Sequence, residues 1–188
     1  MTHLKKISFG ISLLLVTSLA FAGCKKEEKN DDTQNTLVLL AAALNNPGDC
    51  AVTAGTRTTN TFTTDLTTAS SAKSGVITQV GTVPIVGHQT SVLKITAKVG
   101  TTVAVTGKAF GIVYKSENCP LTTAVAQTVT TFTYAGNATD SSSQFTNSHE
   151  INGTSTLTFA QAGTHYYFFY AIPSRGQAAT VTYAVTNL

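Results

Sequence analysis

The residues of this sequence best suited to chemistry are its three cysteines, Cys24, Cys50 and Cys119. No two of them stand in a C-x-x-C pair, the spacing typical of metal and redox sites. Because three is an odd number, one cysteine of an exported chain needs a role other than an intramolecular disulfide. Cys24 comes directly after an apolar segment, which makes it the candidate for that separate role.

Other motifs for catalysis are missing from the sequence. There is no G-x-S-x-G, the turn that exposes the nucleophile of many hydrolases. The glycine and the lysine within residues 100–109 are spaced too widely for a phosphate-binding loop. His149-Glu150 is the one close pair of a histidine and a carboxylate, and it has no second histidine or cysteine near it. We therefore predict no catalytic residues, no metal site and no cofactor.

The segment before Cys24 has the pattern of an export signal, with Lys5 and Lys6 followed by an apolar run over residues 7–22. Serine, threonine and glycine interrupt the run, whereas a membrane span needs about 20 predominantly apolar residues. Its end, FAGC, resembles the lipobox of bacterial lipoproteins, with phenylalanine where leucine is usual, as in the relaxed lipoboxes of spirochaetes. The resemblance implies that residues 1–23 are a signal peptide and that Cys24 carries acyl chains such as palmitate.

With Cys24 assigned to lipid, Cys50 and Cys119 remain as one pair. Disulfides persist in the compartments to which such chains are exported, and both cysteines lie in turn-like sequence. We predict a disulfide that closes a loop of about 70 residues and stabilises the fold by roughly 4 kcal/mol. The alternative is two unpaired buried thiols.

Two short segments separate the lipobox from the rest of the chain. Residues 24–35 alternate in charge, which predicts a lipidated cysteine followed by a disordered tether. Residues 36–46 are rich in leucine and alanine, which predicts one short apolar helix. That helix either docks on the following domain or lies at the membrane or against a partner. The formal charge of +3 falls by two when Lys5 and Lys6 leave, so nothing indicates nucleic acid as a partner.

Residues 47–188 have the period of two that is typical of strands, with glycine at the turns and threonine on the wet faces. This pattern predicts an all-β domain, an antiparallel β-sandwich or jelly roll. The positions expected to be buried are Leu93, Ile95, Ala97 and Val99; Phe110, Ile112 and Tyr114; Leu157 and Phe159; and Val181, Tyr183 and Val185.

The aromatic run HYYFFY, residues 165–170, has two interpretations. One is a central strand whose second face is covered by a loop or by the helix near residue 40. The other is an exposed aromatic patch, because tyrosine and phenylalanine are favoured in interface cores. In that case Tyr166, Phe168 and Tyr170 are the candidate partner-binding residues.

The polar segment 136–153 is the second candidate for binding. We expect a long loop inserted into the domain, and loops of this length are often functional. Phe145 and His149 are the candidate contact residues within it. The alternative is a solvated hairpin insert without a task.

Two stretches of the chain, LKITAKVGTTVAVTG with FGIVYKS and STLTFAQAGTHYYFFYAI with ATVTYAVT, resemble the bacterial pre-peptidase C-terminal domain. The resemblance covers about residues 89–186. It implies a jelly-roll β-sandwich that accompanies secreted proteins and has no catalytic residues of its own. The insert at 136–153 and the lack of a peptidase in this sequence favour a free-standing binding domain.

The lipobox, tether and apolar segment together resemble those of small leptospiral-type lipoproteins. That resemblance implies a lipid-anchored protein of the bacterial cell envelope, in the outer rather than the inner membrane. We expect it to be surface-exposed and to bind host proteins such as matrix proteins, plasminogen or complement regulators. The alternatives are a structural or assembly lipoprotein that faces the periplasm, and an enzyme with a cryptic site.

Overall fold

The computed structural model describes residues 47–68 and 73–188 of the chain. The predicted signal peptide 1–23, the tether 24–35 with Cys24, and the helix 36–46 lie outside the described residues. Within the described part, no helix is long and apolar enough to cross a membrane. The prediction of an all-β sandwich is confirmed, because short strands make up most of this part of the chain.

The strands are short at the beginning of the domain and longer towards its end. Two single 3-10 turns accompany them, at Thr123–Val125 and Pro173–Arg175. In chain order the strands are β1 (Cys50–Ala54), β2 (Arg57–Thr61), β3 (Thr63–Asp65), β4 (Ser74–Val76), β5 (Gly81–Val83), β6 (His88–Ala97), β7 (Thr102–Lys115), β8 (Phe132–Asp140), β9 (Ser148–Phe159), β10 (Gly163–Ala171) and β11 (Thr182–Thr186).

The long strand β7 joins the two layers of the sandwich. One of its edges pairs with β9 over residues 102–112. The other edge pairs first with β11, over 102–106, and then with β10, over 110–115. The β10 layer therefore contains β6, β10 and the second half of β7. The β9 layer contains β8, β9, the first half of β7, β11 and β4.

The pairing of the strands is antiparallel, as predicted, with one exception among those that the structure describes. β3 runs parallel to β6. β5 pairs with the beginning of β6, so that the edge of the β10 layer is occupied by two short strands in succession. β1 and β2 form a separate two-stranded hairpin.

The main core lies between the two layers and confirms most of the predicted alternation. Its members include Leu93, Ile95 and Ala97 of β6, Leu157 and Phe159 of β9, and Val181, Tyr183 and Val185 near the end of the chain. Val99 is an exception, with 71% of its surface exposed. The reason is that β6 ends at Ala97, so the alternation stops before the turn at Gly100.

Strand β10 lies between β6 and β7 and is buried on both faces. Its residues Tyr167 and Phe169 belong to the main core. Tyr166, Phe168 and Tyr170 point the other way, into a second core cluster with Phe110, Ile112 and Tyr114, which were correctly predicted to share a face. The interpretation of HYYFFY as an exposed patch is therefore corrected. It is a central strand with two covered faces.

Strand β1 covers the second core cluster, through Cys50, Val52 and Ala54, together with Leu121. The predicted disulfide joins Cys50 to Cys119, with 5.4 Å between their Cα atoms. Next to it, the N–H of Thr53 donates to the Leu121 carbonyl, and the N–H of Leu121 donates to the Ala51 carbonyl, both at 2.8 Å. The disulfide thus fixes β1 to the chain that follows β7.

The segment 136–153 is mostly strand rather than the long loop that we expected. β8 extends to Asp140 and β9 begins at Ser148, so the connection is confined to residues 141–147. Glycine, asparagine and threonine on the outer face gave this hairpin the composition of a loop. The few buried positions on its inner face, among them Ile151, were too sparse to reveal the strand period.

Candidate functional site

A groove of about 410 Å³ opens at one end of the sandwich. The turn between β1 and β2, the beginning of β6, the 141–147 connection and the end of β10 all contribute to it. Its basic side chains are Arg57 and His88, its aromatic ones are Phe145 and Tyr170, and its neutral polar ones include Thr56, Gln144 and Thr146. We call this site the end groove.

Two aromatic rings form the floor of the end groove. Tyr170 comes from the central strand β10 and is almost fully buried, whereas Phe145 comes from the connection and is half-buried. Their ring centroids lie 4.9 Å apart. Phe145 also packs against Phe110, at 5.2 Å. The floor is therefore held by the second core cluster and is rigid where a ligand would rest.

One wall of the end groove is basic. The Nδ1 atom of His88 lies 2.5 Å from the Tyr170 hydroxyl oxygen, and the two rings meet edge to face at 5.3 Å. Desolvation lowers the pKa of His88, and the nearby charges of Arg57 and Arg175 lower it further. None of the described residues that line the groove carries a carboxylate. The lowered pKa favours a neutral His88 ring, so the positive charge of this wall comes from the guanidinium of Arg57.

His149 lies away from the end groove, near the beginning of β9. Its ring is 1% exposed, its Nε2 atom is 2.6 Å from the Tyr167 hydroxyl, and it stacks on Tyr134 at 4.8 Å. Its Nδ1 atom has no hydrogen-bond partner within the described chain. Burial lowers the pKa of His149 to about 4, which keeps the ring neutral at pH 7. A ring so enclosed cannot contact a protein partner, so its assignment as a contact residue is corrected.

His149 and Glu150 do not work as a pair, because adjacent residues of a strand point to opposite faces. Glu150 accepts a hydrogen bond from the side-chain amide of Gln177, at 3.2 Å. His149 instead borders a small cavity of about 100 Å³ together with Asp140 and Asn147. No cluster of three or more histidine, cysteine, aspartate or glutamate side chains suited to a metal ion occurs in residues 47–68 and 73–188.

The structure brings together two of the five side chains that the sequence suggested for binding. Phe145 and Tyr170 meet in the end groove. Tyr166 and Phe168 lie in the second core cluster, where the hydroxyl of Tyr166 donates to the Glu117 carbonyl at 3.3 Å. Both are buried, so they cannot form a partner surface, and their assignment is corrected.

Sequence reasoning missed the basic wall of the end groove. Arg57 and Arg175 are the two arginines of the whole sequence, and both come close enough to act on His88. The sequence feature that could have indicated this wall was the small number of arginines, since few of the residues in this chain are charged. Arg57 follows the β1–β2 turn and Arg175 follows the end of β10. These two places are far apart in the sequence, so no local sequence pattern predicts that they lie close together.

Comparison of the chain with known protein families, with characterised proteins and with solved structures finds no match in any of the three.

Proposed function

We propose that this protein is a lipid-anchored lipoprotein of the bacterial outer membrane, exposed at the cell surface, whose β-sandwich is a non-catalytic binding domain. The observation that carries the proposal is the bond between Cys50 and Cys119. It leaves Cys24 as the unpaired cysteine of the sequence, and Cys24 stands where the lipobox resemblance requires the acylated residue. A disulfide is also what a domain exported to an oxidising compartment would carry.

The fold supports the binding part of the proposal. Binding residues tend to lie on loops that a rigid scaffold holds in place, and the end groove is built in this way from the β1–β2 turn and the 141–147 connection. Its ligands, in this proposal, are host proteins such as matrix proteins, plasminogen or complement regulators.

Protease added to intact cells tests the exposure. We expect the protein to be degraded while a soluble periplasmic marker stays intact. Degradation that needs permeabilised outer membranes would contradict surface exposure and favour the periplasm-facing structural role.

Binding is tested with the full-length protein, purified in mild detergent and added to immobilised matrix proteins, plasminogen and complement regulators. We expect saturable binding of at least one of these ligands at micromolar concentration. The binding of each ligand by the wild type is compared with its binding by the Phe145→Ala variant, because the half-buried Phe145 ring lines the end groove. If none of the ligands is bound, the proposed binding role is wrong.

A further inference from the structure

We infer that the end groove binds an acidic sugar, a ring that carries one carboxylate and several hydroxyl groups. The carboxylate lies at Arg57 and His88, and one face of the sugar ring rests on Phe145. This inference rests on the proposed binding role of the domain and names the ligand class of its site.

The charge of the groove selects an anion. Arg57 is exposed at the start of β2, and the one ion pair in the described chain joins Lys94 to Asp65 instead. A guanidinium group is planar and offers paired N–H donors that match the two oxygens of a carboxylate. The guanidinium of Arg57 is thus available at the rim of a groove to which the described residues bring no acid.

The hydrogen bond between His88 and Tyr170 prepares the second contact. It engages Nδ1 of His88 and fixes the orientation of the ring. In this inference the Tyr170 hydroxyl donates to Nδ1, so that Nε2 carries the proton and can donate to the carboxylate. Tyr170 is anchored in the central strand, so His88 is held in place before any ligand arrives. A contact that is already ordered costs less entropy when the ligand binds.

The rest of the groove fits a hydroxylated ring better than a purely apolar acid. Phe145 is half-buried and lines the groove, and the exposed residues Thr56, Gln144 and Thr146 add hydroxyl and amide groups beside it. Such groups can pair with sugar hydroxyls, and they gain nothing from an apolar ligand. A volume of about 410 Å³ lies in the range of small-molecule sites and suits one sugar unit with part of its neighbour.

Three small molecules test whether the groove needs both the carboxylate and the hydroxyl groups of its ligand. Glucuronate is the probe, glucose is its neutral counterpart, and benzoate is a flat acid without hydroxyl groups. Ligand-observed NMR with the full-length protein in detergent micelles measures each affinity. We expect glucuronate to bind at least about tenfold more tightly than glucose, because it alone of the two forms charge-assisted hydrogen bonds. It should also bind at least about tenfold more tightly than benzoate, which has no hydroxyl groups for the polar side chains of the groove. An acidic tetrapeptide is the fourth arm and is expected not to compete.

Two variants test the residues. Arg57→Gln is expected to weaken glucuronate binding by about tenfold, the loss typical of one charge-assisted hydrogen bond. Lys98→Gln is the control. It also removes one positive charge, but Lys98 follows the end of β6 opposite to His88 and donates to the Leu188 carbonyl. This variant should bind glucuronate as the wild type does. If Arg57→Gln lowers the melting temperature, Arg57→Lys replaces it, and an intermediate affinity is expected because the charge stays while the planar fork is lost.

Several outcomes would overturn the inference. They are equal binding of glucose, equal binding of benzoate, competition by the acidic tetrapeptide, an unchanged affinity in Arg57→Gln, and no binding of glucuronate. None of these results alters the protease and host-protein experiments, which use no sugar. Conversely, if the protein binds glucuronate but is protected from added protease in intact cells, only the proposed surface exposure is contradicted.

Discussion

At the scale of single residues, the buried ring of His149 links the stability of the fold to pH. Its pKa is 6.5 in an unfolded chain and about 4 in the fold, chiefly because of desolvation, which the carboxylate of Asp140 opposes. Between these values the unfolded chain binds the proton more readily. The free energy of unfolding is therefore expected to fall as the pH drops from 6.5 to 4, by about 3 kcal/mol in total.

Urea unfolding measured between pH 4 and pH 7 checks this dependence. His149→Gln is the matched variant, because an amide can still bond to the Tyr167 hydroxyl but does not titrate. We expect a shallower loss of stability in this variant. Some loss should remain, because burial also lowers the pKa of His165. Equal slopes in the variant and the wild type would show that His149 is not the titrating group.

Gly111 is the residue that makes room for this arrangement. A Cβ atom there would lie 2.7 Å from both His149 Nε2 and Tyr167 Cε2, closer than van der Waals contact allows. We expect Gly111→Ala to lower the free energy of unfolding by about 1 to 3 kcal/mol, the cost of an overpacked core. Ala184→Ser also adds one heavy atom, but at an exposed position of β11, and should be close to neutral. Urea unfolding of the two variants makes the comparison.

Single residues are also where sequence analysis reached its limit. The apolar positions of the strands followed from alternation, because burial on one face leaves a visible period. The neighbours of Arg57 and His88 could not be predicted in this way, because the sequence around a polar residue does not indicate which residues contact it in the fold. His149 was misplaced for the same reason, since a buried histidine between polar residues looks like part of a loop.

At the scale of elements, the disulfide ties the hairpin of β1 and β2 to the chain that follows β7. The bond between Cys50 and Cys119 spans a sequence separation of 69 residues and holds β1 over the second core cluster. We expect Cys50→Ser with Cys119→Ser to lower the free energy of unfolding by roughly 4 kcal/mol, the chain-entropy value for a loop of this size. Urea unfolding of the double variant gives the value.

Reduction of the wild-type protein by dithiothreitol is the control for this prediction. It should reproduce the loss, because it opens the same loop without changing a side chain at any other position. It should have no effect on the double variant. A reduced wild type as stable as the oxidised protein would show that the second core cluster holds β1 without the covalent bond.

Strand β10 is expected to be the element most sensitive to mutation. Phe168 is fully buried in the second core cluster, so Phe168→Ala should cost about 3 to 5 kcal/mol, the range for large aromatic truncations. Phe145→Ala is the comparison, because Phe145 is half-buried at the edge of the same cluster, and it should cost clearly less. Equal losses in urea unfolding would contradict the distinction between the core strand and the groove floor.

The sequence predicted β10 as a strand but did not predict what covers it. Two readings of HYYFFY were open because an aromatic strand looks the same whether its second face is covered or exposed. The answer lies in β1, more than a hundred residues earlier, and in Leu121. Contacts of such separation leave no periodic trace in either segment.

At the scale of the whole molecule, we expect the proposed lipid anchor and the folding of the sandwich to be independent. Among residues 47–68 and 73–188, the members of both core clusters and of the disulfide begin at Cys50, whereas the proposed lipid is on Cys24. The signals for the sandwich and for the proposed anchor are unrelated in the sequence, a period of two in one case and a short motif in the other. Because neither signal involves the other, loss of the lipid should leave the packing of the sandwich intact.

The Cys24→Ser variant tests this separation in living cells. A lipoprotein without its acylated cysteine loses the chains that hold it at the membrane, so we expect the variant to leave the membrane fraction while wild type stays there. Its melting temperature should equal that of the wild type, because the Cys50 and Cys119 thiols still form their bond. A variant that remains membrane-bound would contradict the lipid anchor. A variant that melts at a clearly lower temperature would instead show that Cys24 contributes to the fold.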